Sequence, residues 1–154
     1  GTDARYAGRA AALADKVRDA TELLAEAGPR EGAAVRCAVA VDHPCHLLHA
    51  QGILRAPMDV LSAVPELQVR VVRDAAECCG GAGIYGLTHP DLGGRIGRDK
   101  VAAVRAEEAD VVATPNPGCM MQIGAGLLLE GARERAVHPV ELLDESYRRA
   151  GYYG

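Results

Sequence analysis

The feature that most constrains the fold is an alternation of short apolar runs with longer stretches of helical periodicity. The apolar runs predict four β-strands, at about Val35–Val41, Gln68–Val72, Asp110–Thr114 and Arg135–His138. Helical patterns separate and follow them, at about Leu54–Ala63, Pro90–Glu107, Met120–Glu130 and Pro139–Arg149. Strands that alternate with helices pair in parallel through right-handed crossovers. The sequence therefore predicts a small three-layer α/β domain with a parallel sheet of about four strands.

A further helical pattern precedes the first strand. Between Asp3 and Ala27 apolar residues recur at three- and four-residue steps, and charged residues lie between them. Gly28-Pro29 follows, a pair that ends helices. The spacing predicts one long amphipathic helix at the start of the chain.

Composition excludes several kinds of partner. The 154 residues include 17 basic and 21 acidic side chains, a net charge of −4, and only 3% are aromatic. Scattered basic residues and scarce aromatic rings disfavour nucleic-acid binding. No apolar run of about 18 residues is present to span a bilayer. Because the chain lacks both an initiator Met and a signal-peptide pattern, we expect a piece of a longer cytoplasmic polypeptide.

The cysteines carry the strongest chemical signal. Five cysteines that include an adjacent pair form a poor disulfide framework, so reduced thiols in a cytosolic protein are expected. Four of them follow predicted strands in the pattern C-x32-CC-x39-C: Cys45, Cys78, Cys79 and Cys119. Loops that leave parallel strands meet at one sheet edge, so these thiols should converge on one site. Four thiolates suit a zinc ion or an iron–sulfur cluster.

Neighbouring residues fit a thiolate site. Gly80, Gly81 and Gly83 follow the adjacent cysteines and allow backbone N–H groups to approach sulfur. Cys119 lies near a predicted helix start, which favours an anionic ligand. The same glycine-rich segment lacks both the dinucleotide-binding and the phosphate-loop pattern, which disfavours nucleotide binding.

Cys37 is interpreted differently from the other four cysteines. It alternates with Val39 and Val41 inside the first predicted strand, so its sulfur should pack in the core.

Three histidines surround Cys45. His46 is the candidate for a metal ligand or a hydrogen bond to one, whereas His49 is expected to orient the loop or to be solvated; His43 completes the group. Other edge-loop residues are expected to pack in turns or to cap helices: Tyr85, His89 and His138.

These residues resemble the cysteine-rich CCG domain shared by heterodisulfide reductase B-type subunits and many iron–sulfur oxidoreductases. Within that group the chain is most similar to the second such domain in the iron–sulfur subunit of bacterial glycolate oxidase (glycolate dehydrogenase). The resemblance covers Arg36 to Tyr147 and rests on these segments: HPCHLLHAQG at 43–52, ECCGGAGIYGL at 77–87, Lys100, NPGCMMQ at 116–122 and HPVELLD at 138–144. It divides the chain into a connector helix at 1–29 and a cysteine-rich domain at 30–150.

The resemblance implies electron transfer. In that family the subunit carries ferredoxin-type cluster motifs ahead of two CCG domains, and it passes electrons from a flavin subunit that oxidises glycolate or a similar 2-hydroxy acid. This chain has no ferredoxin-type motif. The implied protein is a domain of an oxidoreductase complex that is not catalytic by itself. Its implied partners are the flavin subunit and the rest of its own subunit, in the cytoplasm or peripheral to the inner membrane face.

One position departs from the fuller family pattern. That pattern ends in C-x-x-C, whereas Asn116 here stands where the first of those two cysteines would be. Four remaining cysteines imply an ordinary [4Fe–4S] cluster, with Gly80, Gly81, Gly83 and His46 beside it, rather than a disulfide-cleaving site. Two alternatives stay open: a structural or docking domain with zinc or no metal, and thiol–disulfide chemistry at Cys78 and Cys79.

Overall fold

The computed structural model describes residues 3–154. Residues 1 and 2, which belong to the predicted connector, lie outside the described residues. The strands are β1 (Cys37–Val41), β2 (Leu67–Val71), β3 (Val111–Ala113) and β4 (Arg135–Val137). The helices are α1 (Ala7–Ala14), α2 (Ala20–Ala27), α3 (Arg55–Ser62), α4 (Ile84–Thr88), α5 (Pro90–Arg105), α6 (Pro117–Leu129) and α7 (Pro139–Arg149). A π-helical segment, His46–Ala50, follows β1.

The four strands form one parallel sheet in the order β2-β1-β3-β4. Val39 in β1 is opposite Val69 of β2 on one side and Val111 of β3 on the other. Because β1 and β3 are the inner strands, their side chains are almost wholly buried from Val39 to Val41 and from Val111 to Ala113. The predicted parallel α/β fold is confirmed.

Helices cover both faces of the sheet, which gives the three layers. On one face Ala40 and Val112 pack with Val101 of α5 and with Ile123 and Leu127 of α6. The opposite core has its own set of apolar side chains from the sheet, α3 and α7: Val39, Val41, Leu61, Val111, Ala113, Val137 and Leu142. Cys37 is half-buried against this second core, as its alternation with Val39 and Val41 predicts.

The prediction of one long N-terminal helix is wrong. The segment from Asp3 to Ala27 forms two helices, α1 and α2, and the chain is extended at Asp19 between them. Asp19 caps α2: its side chain accepts hydrogen bonds from the Thr21 N–H and hydroxyl groups, while Glu22 accepts one from the Asp19 N–H. This reciprocal capping box starts a new helix and outweighs the continuous apolar spacing.

The remaining differences from the predicted elements are one helix start and two short helical segments. Helix α6 begins at Pro117, ahead of the predicted Met120, because Asn116 caps it. Helix α4 and the π-helical segment were not predicted, since five residues are too few for helical periodicity to be seen. Within residues 3–154, no helix combines the length and the apolar character needed to cross a bilayer.

Candidate metal centre

Loops leaving β1, β2 and β3 meet at the carboxyl edge of the sheet and form a pocket of about 540 Å³. All four cysteines predicted as ligands line it: Cys45, Cys78, Cys79 and Cys119. Cys79 and Cys119 are buried, and the other two are half-buried. The fold thus brings together residues that are far apart in sequence, while their role as ligands stays a prediction.

Two of the sulfur atoms are in direct contact. The Sγ atoms of Cys79 and Cys119 lie 3.2 Å apart. This hydrogen bond lowers the pKa of Cys79 to about 6, and the same contact raises the pKa of Cys119. Burial, and then the neighbouring Cys78, raises the pKa of Cys45. One sulfur of the pocket is therefore ready to be a thiolate near neutral pH.

Backbone amides face the sulfurs, as the glycine segment predicts. The Gly80 N–H donates to Cys78 Sγ at 3.3 Å, and the Gly81 N–H also acts to lower the pKa of Cys79. Gly81 and Gly83 line the pocket. Such donors stabilise negative charge on thiolates and on the sulfur atoms of a cluster.

Gly80 has a second reason to be glycine. Its φ is +84°, and a Cβ there would collide with the Gly93 carbonyl and the Gly97 N–H of α5. The loop that carries Cys78 and Cys79 therefore rests directly on the backbone of α5.

Asn116 occupies the position at which the chain departs from the fuller cysteine pattern. Its Oδ1 accepts from the Cys119 N–H at 2.9 Å, which caps α6. Its Nδ2 lies 3.4 Å from Nε2 of His46, and both side chains line the pocket. Asn116 thus links the loop after β1 to the helix that carries Cys119.

The remaining edge histidines have structural contacts. His49 Nε2 lies 3.3 Å from the Ala76 carbonyl, and His43 is buried, which lowers its pKa. His89 stacks on Tyr85 with ring centroids 4.0 Å apart. His138 caps α7 through Nδ1, which accepts from Val140 N–H. The expected capping role of His138 is confirmed, whereas Tyr85 lies within α4 rather than in a loop and His89 packs on it without capping a helix through its side chain.

Sequence reasoning missed a buried ion pair next to the site. Lys100 of α5 donates to Asp42, which follows β1, and Thr114, which follows β3, donates to the same carboxylate. Lys100 appeared only as a point of family resemblance. The sequence does place a polar residue directly after each inner strand, Asp42 and Thr114, but nothing in it pairs them with a lysine of α5.

The residues present fit an iron–sulfur cluster. Within residues 3–154, no group of three His, Cys, Asp or Glu side chains is gathered as a ligand set for a single metal ion. A cubane cluster binds each thiolate through a different iron, so it needs a pocket that keeps its ligands apart. Four thiols line one pocket with amide donors beside two of them, and the Cys79 and Cys119 sulfurs, 3.2 Å apart here, would move apart to bind different irons.

A parallel α/β sheet with four thiols at its carboxyl edge defines a cysteine-rich α/β domain whose thiols could hold a metal or a cluster. Comparison with known families is more specific. The chain belongs to the cysteine-rich domain family, CCG, whose model matches residues 39–124.

Individual relatives agree with this family. The chain is 32% identical to a probable glycolate oxidase iron-sulfur subunit of Bacillus subtilis, over 94% of its own length and 34% of that protein. It is 31% identical to the glycolate oxidase iron-sulfur subunit of Escherichia coli, over 96% of its own length and 35% of that protein. It is 31% identical to lactate utilization protein A of Macrococcus caseolyticus, over 92% and 59% of the two lengths. The chain therefore spans roughly one third to three fifths of the length of these relatives.

Proposed function

We propose that this chain is an iron–sulfur electron-transfer domain of a flavin-linked 2-hydroxy-acid oxidoreductase of the glycolate type. The observation that carries the proposal is the convergence of four cysteines from three strand ends on one pocket. The names of the relatives, which are iron-sulfur subunits of glycolate oxidase, support the reaction class.

The proposed ligands are Cys45, Cys78, Cys79 and Cys119, and the proposed group is a [4Fe–4S] cluster. When bound, such a cluster supplies one-electron transfer at a potential set by its surroundings. The chain's own part is to hold four thiolates, to donate amide hydrogen bonds from Gly80 and Gly81, and to bury two of the ligands. His46 lies at the pocket wall, where it would form part of the surroundings of the cluster rather than replace a cysteine as a ligand.

The proposed partners are a flavin-containing subunit and the rest of an iron–sulfur subunit. Apolar side chains exposed around the pocket support protein docking there: Ile84 is 81% exposed, Leu87 82% and Met121 71%. Leu87 and Met121 also line the pocket, so a protein seated on them would lie close to the cysteines. Electron transfer needs such proximity, and the domain alone would not oxidise a 2-hydroxy acid.

We further propose that residues 1–29 act as a connector and residues 30–150 as the cysteine-rich domain. No residue of α1 is buried, in keeping with a segment that packs on something other than this domain. A cytoplasmic location is proposed because all five cysteines are free thiols, and a place at the inner membrane face would come only through the proposed complex.

Anaerobic reconstitution followed by iron and acid-labile sulfide analysis tests the proposal. We expect iron and sulfide in equal amounts in the wild-type chain, and a large loss in each of the variants Cys45→Ser, Cys78→Ser, Cys79→Ser and Cys119→Ser. Cys37→Ser is the matched control, because Cys37 packs in the opposite core and should not change the iron content. Stoichiometric zinc without sulfide would replace the proposal with a structural or docking role.

Thiol–disulfide exchange is a second candidate, favoured by one observation. The shortest sulfur contact joins Cys79 to Cys119 at 3.2 Å, and the pKa of Cys79 is low. Two thiols in such contact can reduce a partner disulfide: the two sulfurs lose two electrons as the Cys79–Cys119 bond forms, the partner S–S bond breaks, and its two sulfurs take up the electrons and the two protons. This pair differs from the adjacent cysteines that the sequence suggested. A two-electron potential in metal-free protein, lost in Cys119→Ser but kept in Cys78→Ser, would establish it.

A further inference from the structure

A buried lysine of α5 contacts two of the three loops that carry cysteines. Lys100 and Asp42 each have side chains that are only 2% exposed, and Lys100 Nζ lies 2.9 Å from Asp42 Oδ1. The same ammonium group donates to the carbonyl oxygens of Asp74 at 2.9 Å and Ala75 at 3.3 Å. Lys100 thus joins the loop that contains Cys45 to the loop that contains Cys78 and Cys79.

The carboxylate of Asp42 extends this connection to the third loop. Its Oδ2 accepts from the Thr114 hydroxyl at 2.9 Å. Thr114 is fully buried and begins the loop that leads to Cys119. The charged hub, defined as Lys100, Asp42 and Thr114, therefore links all three cysteine-bearing loops.

Backbone hydrogen bonds also join the segments that carry the hub. The His43 N–H donates to the Ala75 carbonyl at 3.2 Å, and the Asp42 N–H donates to the Ala113 carbonyl at 3.0 Å. The Asp42 carboxylate also acts to raise the pKa of both Cys79 and Cys119, because its negative charge lies close enough to disfavour the thiolates.

A buried charge pair is an unusual way to attach a helix to a sheet. Desolvation of the two ions offsets much of their attraction, and apolar side chains of similar size often serve stability as well or better. Helix α5 already has an apolar face toward the sheet, formed by Val101 and Val104. Within residues 3–154 every buried side-chain nitrogen and oxygen has a hydrogen-bond partner, so the hub is complete. Its directional bonds fix positions that apolar packing would leave free to shift.

We propose that Lys100 is a positioning residue that sets the relative placement of the three cysteine-bearing loops through Asp42 and Thr114. The role deepens the proposed function and rests on it, because the purpose of that placement is to hold four thiolates ready for one group. Lys100 touches no cysteine sulfur in a hydrogen bond and acts through the loops.

The test measures loop order and metal chemistry separately. Amide hydrogen exchange of the metal-free chain reports on the loops at 42–46, 73–81 and 114–119. The variants are Lys100→Met, the uncharged double variant Lys100→Met with Asp42→Asn, and the control Lys16→Met. The control is well matched, because Lys16 is the only other lysine of the chain and is exposed. Iron content and reduction midpoint potential are then measured after anaerobic reconstitution.

In Lys100→Met we expect exchange to increase about tenfold or more in all three loops, with β1 and β3 still protected. The iron content should fall. The midpoint potential of the remaining sites should fall too, since a positive charge has been removed next to an unpaired carboxylate. The double variant is expected to regain stability without regaining loop protection. Lys16→Met should match the wild type in every measurement.

Increased exchange confined to α5, or wild-type loop protection and iron content in the double variant, would overturn the proposal. These outcomes are distinguishable from failure of the proposed function. If the wild-type chain binds no iron, the electron-transfer role fails, while hydrogen exchange still decides whether Lys100 orders the loops.

Discussion

The sulfur of Cys79 lies 3.2 Å from the sulfur of Cys119, although 40 positions separate them in sequence. Cys79 belongs to the loop after β2, whereas Cys119 lies in the first turn of α6, after β3. Their contact depends on β2 and β3 lying on opposite sides of β1 in the parallel sheet. The pocket is thus a product of the topology and of the turns at the strand ends.

This contact predicts a thiolate at mildly acidic pH. In metal-free protein the hydrogen bond with Cys119 lowers the pKa of Cys79 to about 6, so thiolate absorbance near 240 nm should appear around that pH. Cys119→Ala removes the partner and should shift this titration upward, toward the ordinary range of cysteine. Absence of any thiolate signal below about pH 8 in the wild-type chain would contradict the prediction.

Because of His138, we expect the folded protein to lose stability in mild acid. Burial is the main cause that lowers its pKa below the ordinary value of 6.5, and its neutral Nδ1 accepts the hydrogen bond that caps α7. The unfolded chain therefore binds a proton more readily than the folded one. The stabilisation is fully present above about pH 6.5 and is lost as pH falls through the lower folded-state pKa. Urea denaturation across this range measures it.

His138→Asn is the control for that experiment, since asparagine also caps helices but does not titrate. The variant should show a smaller decrease in unfolding free energy between pH 7 and pH 5. An identical decrease in the two proteins would assign the acid sensitivity to another group.

We expect the Asn116 cap to stabilise α6, the helix that carries Cys119. Asn116→Ala removes the acceptor for the Cys119 N–H and should cost about 1 kcal/mol of unfolding free energy. Asn116→Asp keeps a capping acceptor and should cost less. Denaturation of both variants checks the prediction, and equal losses would show that the cap is not the source of the effect.

A side chain at position 80 should destabilise the fold through a steric clash as well as through the backbone conformation. Gly80→Ala must accept both a positive φ and a clash with the backbone of α5, whereas Gly52→Ala has φ +70° and open space. We expect about 1 kcal/mol of destabilisation for Gly52→Ala and clearly more for Gly80→Ala. Comparable values in urea denaturation would mean that the loop carrying Cys78 and Cys79 does not rest tightly on α5.

The sequence was most informative where a pattern repeats. The strands could be predicted because runs of Val and Ala between turn residues have few other interpretations, and the cysteines because they follow those strands. The long N-terminal helix was predicted wrongly because apolar spacing continues through Asp19, although Asp19 with Glu22 three residues later is itself a helix-start signal. Local capping outweighed periodicity there, as it did at Asn116.

Contacts between side chains that are far apart in sequence could not be predicted. Lys100 sits in an otherwise amphipathic helix, where a lysine is usually solvated, and nothing nearby in sequence indicates that Asp42 is its partner. The pairing of Cys79 with Cys119, rather than with its neighbour Cys78, likewise follows from strand order. Contacts between loops of different strands need the assembled sheet.

Electron paramagnetic resonance of the anaerobically reconstituted and reduced chain tests the central claim most directly. The account predicts a cluster signal in the wild type and in Cys37→Ser, and its loss or a changed line shape in Cys45→Ser, Cys78→Ser, Cys79→Ser and Cys119→Ser. A wild-type chain without this signal, or an unchanged signal in all four of those variants, would contradict it.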